Sequence, residues 1–179
     1  MSGGMELYLH MPFCVRKCAY CDFLSFPSGA ETQRMYAKRL MKDIDVMGKR
    51  YGEIPVETIF IGGGTPSVPD SGPIVEIMEH VRHAFHVADG AEISMEANPG
   101  TVTREKLTDY RKAGINRLSF GLQSANDREL KLLGRIHTWA EFLESFTLAR
   151  ECGFANLNID LMSALPGQTC ESWKETLSR

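Results

Sequence analysis

Short apolar runs alternate with longer amphipathic stretches along the whole chain, and that alternation leaves few folds open to it. Residues 6–11, 57–63, 91–97 and 116–123, and a segment opening at Asn156, read as strands. Thr32 to Arg50, Ser71 to Phe85, Thr103 to Gly114, Asn126 to Gly134 and Thr138 to Gly153 read as helices, and Glu171 to Arg179 opens another. Pro73 suits a first helical turn, Thr103 an N-cap, and Gly114 the residue past a helix end. A strand–helix–strand crossover returns the chain parallel to itself, so five such units predict an α/β protein with a parallel sheet.

Two architectures can use that sheet: an open doubly wound sheet or part of a (β/α) barrel. The placement of polar and reactive residues separates them. The first strand runs into a cysteine loop, the second into "GGGTPS", the third into Glu96 and "NPG", the fourth into Gln123, and the fifth carries Asp160. A barrel gathers all its strand C-termini on one face, whereas an open sheet concentrates function at one switch point. The barrel is therefore expected. Five strands do not close one, and the chain stops inside a helical pattern at Arg179, so residues 1–179 read as an incomplete domain of a longer protein.

The composition, 43% hydrophobic with a net charge of -3, fits a soluble globular domain. It offers no basic surface for nucleic acid, and no apolar run reaches the ~20 residues of a membrane span. The N-terminus lacks the basic and apolar regions of a secretory signal. Five cysteines, three of them within eight residues, fit disulfide pairing poorly and point to a reducing, cytoplasmic setting. Cys152 and Cys170 read as small buried hydrophobes. His80, His83 and His86 read as the solvated side of one helix.

The cysteine loop, "HMPFCVRKCAYCDF", carries Cys14, Cys18 and Cys21 in the spacing C-x3-C-x2-C. Structural zinc closes with four protein ligands, and no second C-x2-C or H-x3-H follows. His10 and Asp22 are the only neighbours able to complete such a site, and both are poorly placed. An iron–sulfur cluster also usually takes four thiolates, so three leave one iron open to a small molecule. A cluster is the favoured reading, with zinc as the alternative. Arg16 and Lys17 either offset cluster charge or are solvated.

"GGGTP" fits neither a dinucleotide loop, since Ser67 and two prolines follow, nor a phosphate loop, since no Lys-Ser/Thr follows. It allows close backbone approach to a ligand or a plain tight turn. Glu96, among apolar neighbours, needs a cationic or hydrogen-bonded partner, which a ligand ammonium would supply. Arg135 could pair with a carboxylate, and Gln123 and Asp160 suit ribose hydroxyls. Tyr8 and Tyr20 flank the cysteines and suit packing on a cluster or on an adenine, with core filling a close alternative for Tyr8.

The cysteine spacing after a first strand resembles the radical S-adenosylmethionine (SAM) superfamily. With "IFIGGGTPS", "EANPGTV", "RLSFGLQS", "LGRIH" and "NIDLMSALPGQT" it is similar to the oxygen-independent coproporphyrinogen III dehydrogenase group. The resemblance implies a partial radical SAM barrel and a [4Fe–4S] cluster held by Cys14, Cys18 and Cys21. It implies SAM contacts from Tyr8, Tyr20, Gly63, Gly64, Thr65, Glu96, Gln123, Arg135 and Asp160. The dehydrogenases of that group carry a further cysteine two residues after the third; here that residue is Phe23, as in the haem chaperone subgroup. Two activities stay open: binding haem and passing it to acceptor proteins, or oxidative decarboxylation of a porphyrinogen. A zinc-stabilised structural module is the third. Haem or porphyrin, an electron donor protein and a haem acceptor are the implied partners, and a C-terminal domain is expected to contribute the porphyrin site.

Overall fold

A computed structural model describes residues 3–179. The element order is β1 (Met5–Met11), α1 (Ala30–Tyr51), β2 (Val56–Gly63), α2 (Ser71–Ala84), β3 (Val87–Ala97) and α3 (Arg104–Lys112). It continues with β4 (Arg117–Gln123), α4 (Asp127–Leu132), α5 (Trp139–Glu151), β5 (Asn156–Leu161) and α6 (Cys170–Ser178). All neighbouring strands are parallel, in the spatial order β1-β2-β3-β4-β5. A doubly wound sheet reverses its strand order at a switch point. Here every crossover steps the same way, which places the helices on one face and curls the sheet into part of a barrel.

The strand pattern explains which face takes the helices. Leu9, Met11, Ile59, Ile61, Ile93, Met95, Leu118 and Phe120 alternate onto the outer face and are buried. Against them pack Ala37, Met41 and Ile44 of α1, Ile74, Ile77, Met78 and Val81 of α2, and Leu107 and Tyr110 of α3. These helical positions recur every three or four residues, the spacing of one helix face. Each fully buried aliphatic side chain contributes about 1.5–3 kcal/mol relative to exposure.

The inner face is polar. Tyr8, Phe60, Ser94, Arg117 and Asn156 share one register layer. Arg117 donates to Ser94 Oγ at 3.0 Å, and Ser94 Oγ donates to Glu92 Oε1 at 2.7 Å. Higher up, Ser119 Oγ donates to Asp160 Oδ2 at 2.8 Å, and Asn158 Nδ2 donates to Asp160 Oδ1 at 2.8 Å. Among the described residues β1 and β5 pair on one side only, so both sheet edges are open.

Helix ends follow local chemistry. Thr103 caps α3 through Lys106 N, and Thr138 and Glu141 form a reciprocal capping box on α5. Thr169 and Ser172 do the same for α6. Buried Glu129 then ties α6 and the preceding loop to α4, accepting from Ser124 Oγ, Ser172 Oγ and Gln168 Nε2 at 2.6, 2.8 and 3.0 Å. Burial pushes its carboxyl up, but those three donors outweigh it and hold the group below the usual glutamate range.

Four expectations need correction. β3 starts at Val87 rather than Ala91, because Val87 pairs with Val56 across a register shift that Gly90, at φ +80°, makes possible. α1 starts at Ala30 rather than Thr32. α2 stops at Ala84, so His86 lies outside it in the turn to β3, and its backbone N–H donates to Gly52 O. Cys170 is exposed in the first turn of α6, not buried, whereas Cys152 packs partly buried against the core.

Candidate functional site

β1 ends at Met11, and the cysteine loop leaves it through a pinned base. Phe26 N–H donates to Pro12 O at 2.9 Å and Cys14 N–H to Phe26 O at 3.2 Å. Phe13, fully buried, meets Phe26 and Tyr36 edge-on with ring centroids 6.0 and 5.3 Å apart. The far side of the loop rests on the segment after α4: Ala19 N–H donates to Leu133 O at 3.1 Å and Arg16 Nη2 to Gly134 O at 2.6 Å. Lys17 Nζ donates to Phe23 O at 3.1 Å. Arg16 and Lys17 thus shape the loop through carbonyls. All three cysteines are free and partly exposed.

Both alternative fourth ligands lie outside the lining of the cavity described below. His10 has its ring nitrogens against Leu24 O at 2.9 Å and Tyr8 Oη at 3.0 Å, and Asp22 is exposed outside the cavity lining. Among the described residues no three His, Cys, Asp or Glu side chains converge on a position for one ion.

The glycines at the end of β2 are demanded by close approach. A Cβ on Gly63, whose φ is +110°, would lie 2.3 Å from the His10 ring. The backbone of Gly64 and Thr65 runs alongside the cysteine loop, donating to Met11 O at 2.8 Å and Phe13 O at 2.7 Å. This brings the Thr65 hydroxyl to 3.6 Å from Cys14 Sγ. Gly63 N–H points the other way and donates to Glu96 Oε2 at 3.0 Å.

A cavity of about 400 Å³ opens at these strand ends. Its walls include Cys14, Cys18, Cys21, Tyr20, Gly63, Gly64, Thr65, Glu96, Gln123, Arg135 and Asp160. Burial raises the Glu96 carboxyl above the usual range, against the Gly63 hydrogen bond that lowers it. Such a carboxyl gains from a cationic ligand group, which restores its charge. Gln123 occupies the left-handed region at φ 73°, unusual for a residue with a side chain, just where the β4–β5 register shifts. Arg135 reaches across β4: Nη2 donates to Asn98 Oδ1 at 2.6 Å and Gly121 O at 2.5 Å, and Nη1 to Tyr20 Oη at 3.4 Å and Cys18 Sγ at 3.7 Å. Its Nε is buried without a partner.

These groups fit a thiolate-held cluster with an exchangeable organic ligand. Three sulfurs on one rim supply soft donors, and the opposite walls supply a carboxylate, an amide and an orphaned guanidinium nitrogen.

Of the twelve residues that the resemblance assigns to the cluster and SAM, eleven line this cavity, and Arg16, Lys17 and Phe23 line it with them. Tyr8 stands apart on the inner face, 58% exposed, with its ring stacked on Phe60 and its hydroxyl near Gly63 at the cavity edge. Sequence reasoning passed over Asn98, Ser119 and Gly121. The period-2 alternation of "RLSFGLQ" points Ser119 and Gly121 inward with Gln123 and was the signal available for them. Gly121 is small because a Cβ there would lie 3.0 Å from Asn98 Oδ1 and 3.3 Å from Arg135 Nη2.

The pattern of the radical SAM superfamily matches residues 8–179. The chain is 44% identical over 169 residues to the haem chaperone HemW of Escherichia coli, covering 93% of this chain and 44% of that one. It is 34% identical to a mitochondrial radical S-adenosyl methionine domain-containing protein 1 of Danio rerio, covering 96% and 39%. In structure it superposes on coproporphyrinogen III oxidase (HemN) of Escherichia coli, a radical SAM enzyme, with a TM-score of 0.91 and 32% identity, covering 98% of this chain and 41% of that one. The chain therefore spans less than half the length of these relatives. With the family pattern running from β1 to the last residue, this chain belongs to the radical SAM superfamily.

Proposed function

We propose that this chain is the cluster- and SAM-binding part of a haem chaperone, which binds haem and passes it to acceptor proteins. One observation carries the proposal: three loop cysteines, with no fourth protein ligand among the described residues, sit on the rim of a cavity whose other walls suit an amino acid and a ribose. Cys14, Cys18 and Cys21 hold a [4Fe–4S] cluster. When bound there with SAM, the cluster supplies one-electron chemistry at the sulfonium.

The chain's own residues orient the cofactor. Glu96 and the backbone around Gly63, Gly64 and Thr65 meet the methionyl ammonium, and the unpartnered Nε of Arg135 meets the carboxylate. Gln123 and Asp160 take the ribose hydroxyls, and Tyr20, with Tyr8 at the edge, packs on the adenine. Phe23 favours the chaperone over the dehydrogenase. It is 67% exposed in the cavity wall, at the position where the dehydrogenases of the resembling group carry a cysteine. The haem chaperone HemW relatives support the same reading, and the HemN likeness supports the porphyrinogen oxidase alternative at the level of fold. The porphyrin-binding domain belongs to further chain of the kind the longer relatives have, and the protein acts in a reducing, cytoplasmic compartment with an electron donor and a haem acceptor.

Anaerobic reconstitution of the intact protein followed by haem titration tests this. A saturable shift of the haem absorption band is expected. No shift, or vinyl product from coproporphyrinogen III with SAM and reductant, would overturn the chaperone reading. Metal analysis giving zinc in place of about four iron and four sulfide per chain would overturn the cluster.

A further inference from the structure

The structure assigns Asn98 and Thr65 as positioning residues that aim a hydrogen bond at the Cys14 sulfur and thereby raise the reduction potential of the cluster. This rests on the cluster reading above.

Four side chains from separate parts of the chain form one directed line. Arg135 Nη2 donates to Asn98 Oδ1 at 2.6 Å, Asn98 Nδ2 donates to Thr65 Oγ1 at 2.8 Å, and Thr65 Oγ1 lies 3.6 Å from Cys14 Sγ. Directions follow from what each group can do. A guanidinium only donates, so the Asn98 amide must turn its oxygen to Arg135 and its nitrogen to Thr65. The Thr65 oxygen is thereby an acceptor from Asn98, and its own proton needs another acceptor. Thr65 is 3% exposed, and among the described residues its hydroxyl has one other hydrogen-bond partner, the Cys14 sulfur. The proton is directed there.

The backbone holds this line in place. Thr65 N–H is clamped on Phe13 O at 2.7 Å, one residue before Cys14, and Asn98 N–H donates to Ser67 Oγ at 3.2 Å. Thr101, through its N–H and hydroxyl, donates to Asn98 O at 3.2 and 2.7 Å. The same guanidinium places Nη1 3.7 Å from Cys18 Sγ. One half-buried cation therefore reaches two ligand sulfurs, directly at Cys18 and through an amide and a hydroxyl at Cys14. Successive hydrogen bonds polarise one another where water is excluded. A donor at a ligand sulfur stabilises the more negative, reduced state, which raises the potential.

The test is a redox titration of the intact, anaerobically reconstituted protein without SAM, followed by electron paramagnetic resonance and poised with mediators and dithionite. Thr65→Val keeps the shape and removes the donor; it is expected to lower the reduced-to-oxidised ratio about tenfold at a fixed potential, a 59 mV negative shift for one electron. Thr65→Ser, which keeps the hydroxyl, is expected to titrate like the unsubstituted protein. Asn98→Ala is expected to shift in the same direction, and the double variant no further than Thr65→Val. A Thr65→Val protein with full iron and sulfide and an unshifted potential overturns the assignment, as does a Ser variant that shifts as far as Val. Should Asn98→Ala fail to hold a cluster, the Val–Ser comparison decides alone. Absence of any cluster in the unsubstituted protein would instead overturn the function proposed above, and this assignment with it.

Discussion

Gly64 lies so close beneath the cysteine loop that a Cβ on it would sit 2.7 Å from the Met11 carbonyl oxygen, with Phe13 N and O at 2.7 and 2.8 Å. All three obstacles are backbone, which cannot swing aside as a side chain tip can. Gly64→Ala must therefore push the β2 loop off the β1 exit. A loss of about 1–3 kcal/mol of stability is expected, the usual cost of overpacking. Iron content should fall with it, because the pinned base of the cysteine loop moves. Chemical denaturation and iron analysis on the same preparation check both; unchanged iron would mean that the loop tolerates the shift.

Glu96 is held in its raised state by burial, partly offset by Gly63 N–H. A carboxyl whose pKa is higher folded than unfolded contributes stability below its unfolded value, and that contribution is lost as pH rises through the folded value. Glu96→Gln removes this dependence, so the ligand-free variant should be at least as stable as the parent at neutral pH. Its affinity for SAM should nevertheless drop at least tenfold, since the cationic ammonium loses its counter-charge. Urea melts at pH 5 and 8, with calorimetric titration of SAM, separate the two effects; a variant that binds normally would remove Glu96 from the ammonium site.

His137 is buried, with Nε2 3.3 Å from Leu122 O and Nδ1 without a partner. Burial first, then the nearby Arg135 charge, pushes its pKa down from 6.5 to about 4. A group with a depressed folded pKa contributes stability above its unfolded value and loses it as pH falls. The loss should therefore run from pH 6.5 down to about 4 and reach at most about 3 kcal/mol. His137→Gln should flatten that limb of a stability–pH profile. A parallel acid limb in the variant would assign the acid sensitivity elsewhere.

Cysteine substitutions should divide sharply. Cys18→Ala is expected to abolish the iron–sulfur absorption while far-ultraviolet circular dichroism stays native, because the residue lies in a partly exposed loop. Cys170→Ala, on the exposed first turn of α6, should leave iron content unchanged. Equal losses in the two variants would contradict the ligand assignment.

Some of this was legible in the sequence alone. The helix faces of α1 and α2 and the Thr103 cap follow from residues three or four apart, so composition along a single stretch carries them. The cysteine trio was equally local. The start of β3 was not, because residues 87–90 carry no alternation and become strand only by pairing with Val56. Cys170 failed for a related reason: burial depends on what packs over a helix, not on the side chain's own polarity.

What the amino-acid order determined by itself was the sequence of five strand–helix units and the short-range spacing of thiols and glycines, both set by steric and hydrogen-bonding preferences that span a few residues. Only the tertiary structure decided which groups face one another at the site. Asn98 meets Arg135 across 37 positions and Thr65 across 33, and Arg135 meets Cys18 across 117. Those pairings arise because parallel register brings every strand C-terminus to one rim, and no local periodicity encodes which polar atoms then come within hydrogen-bonding distance.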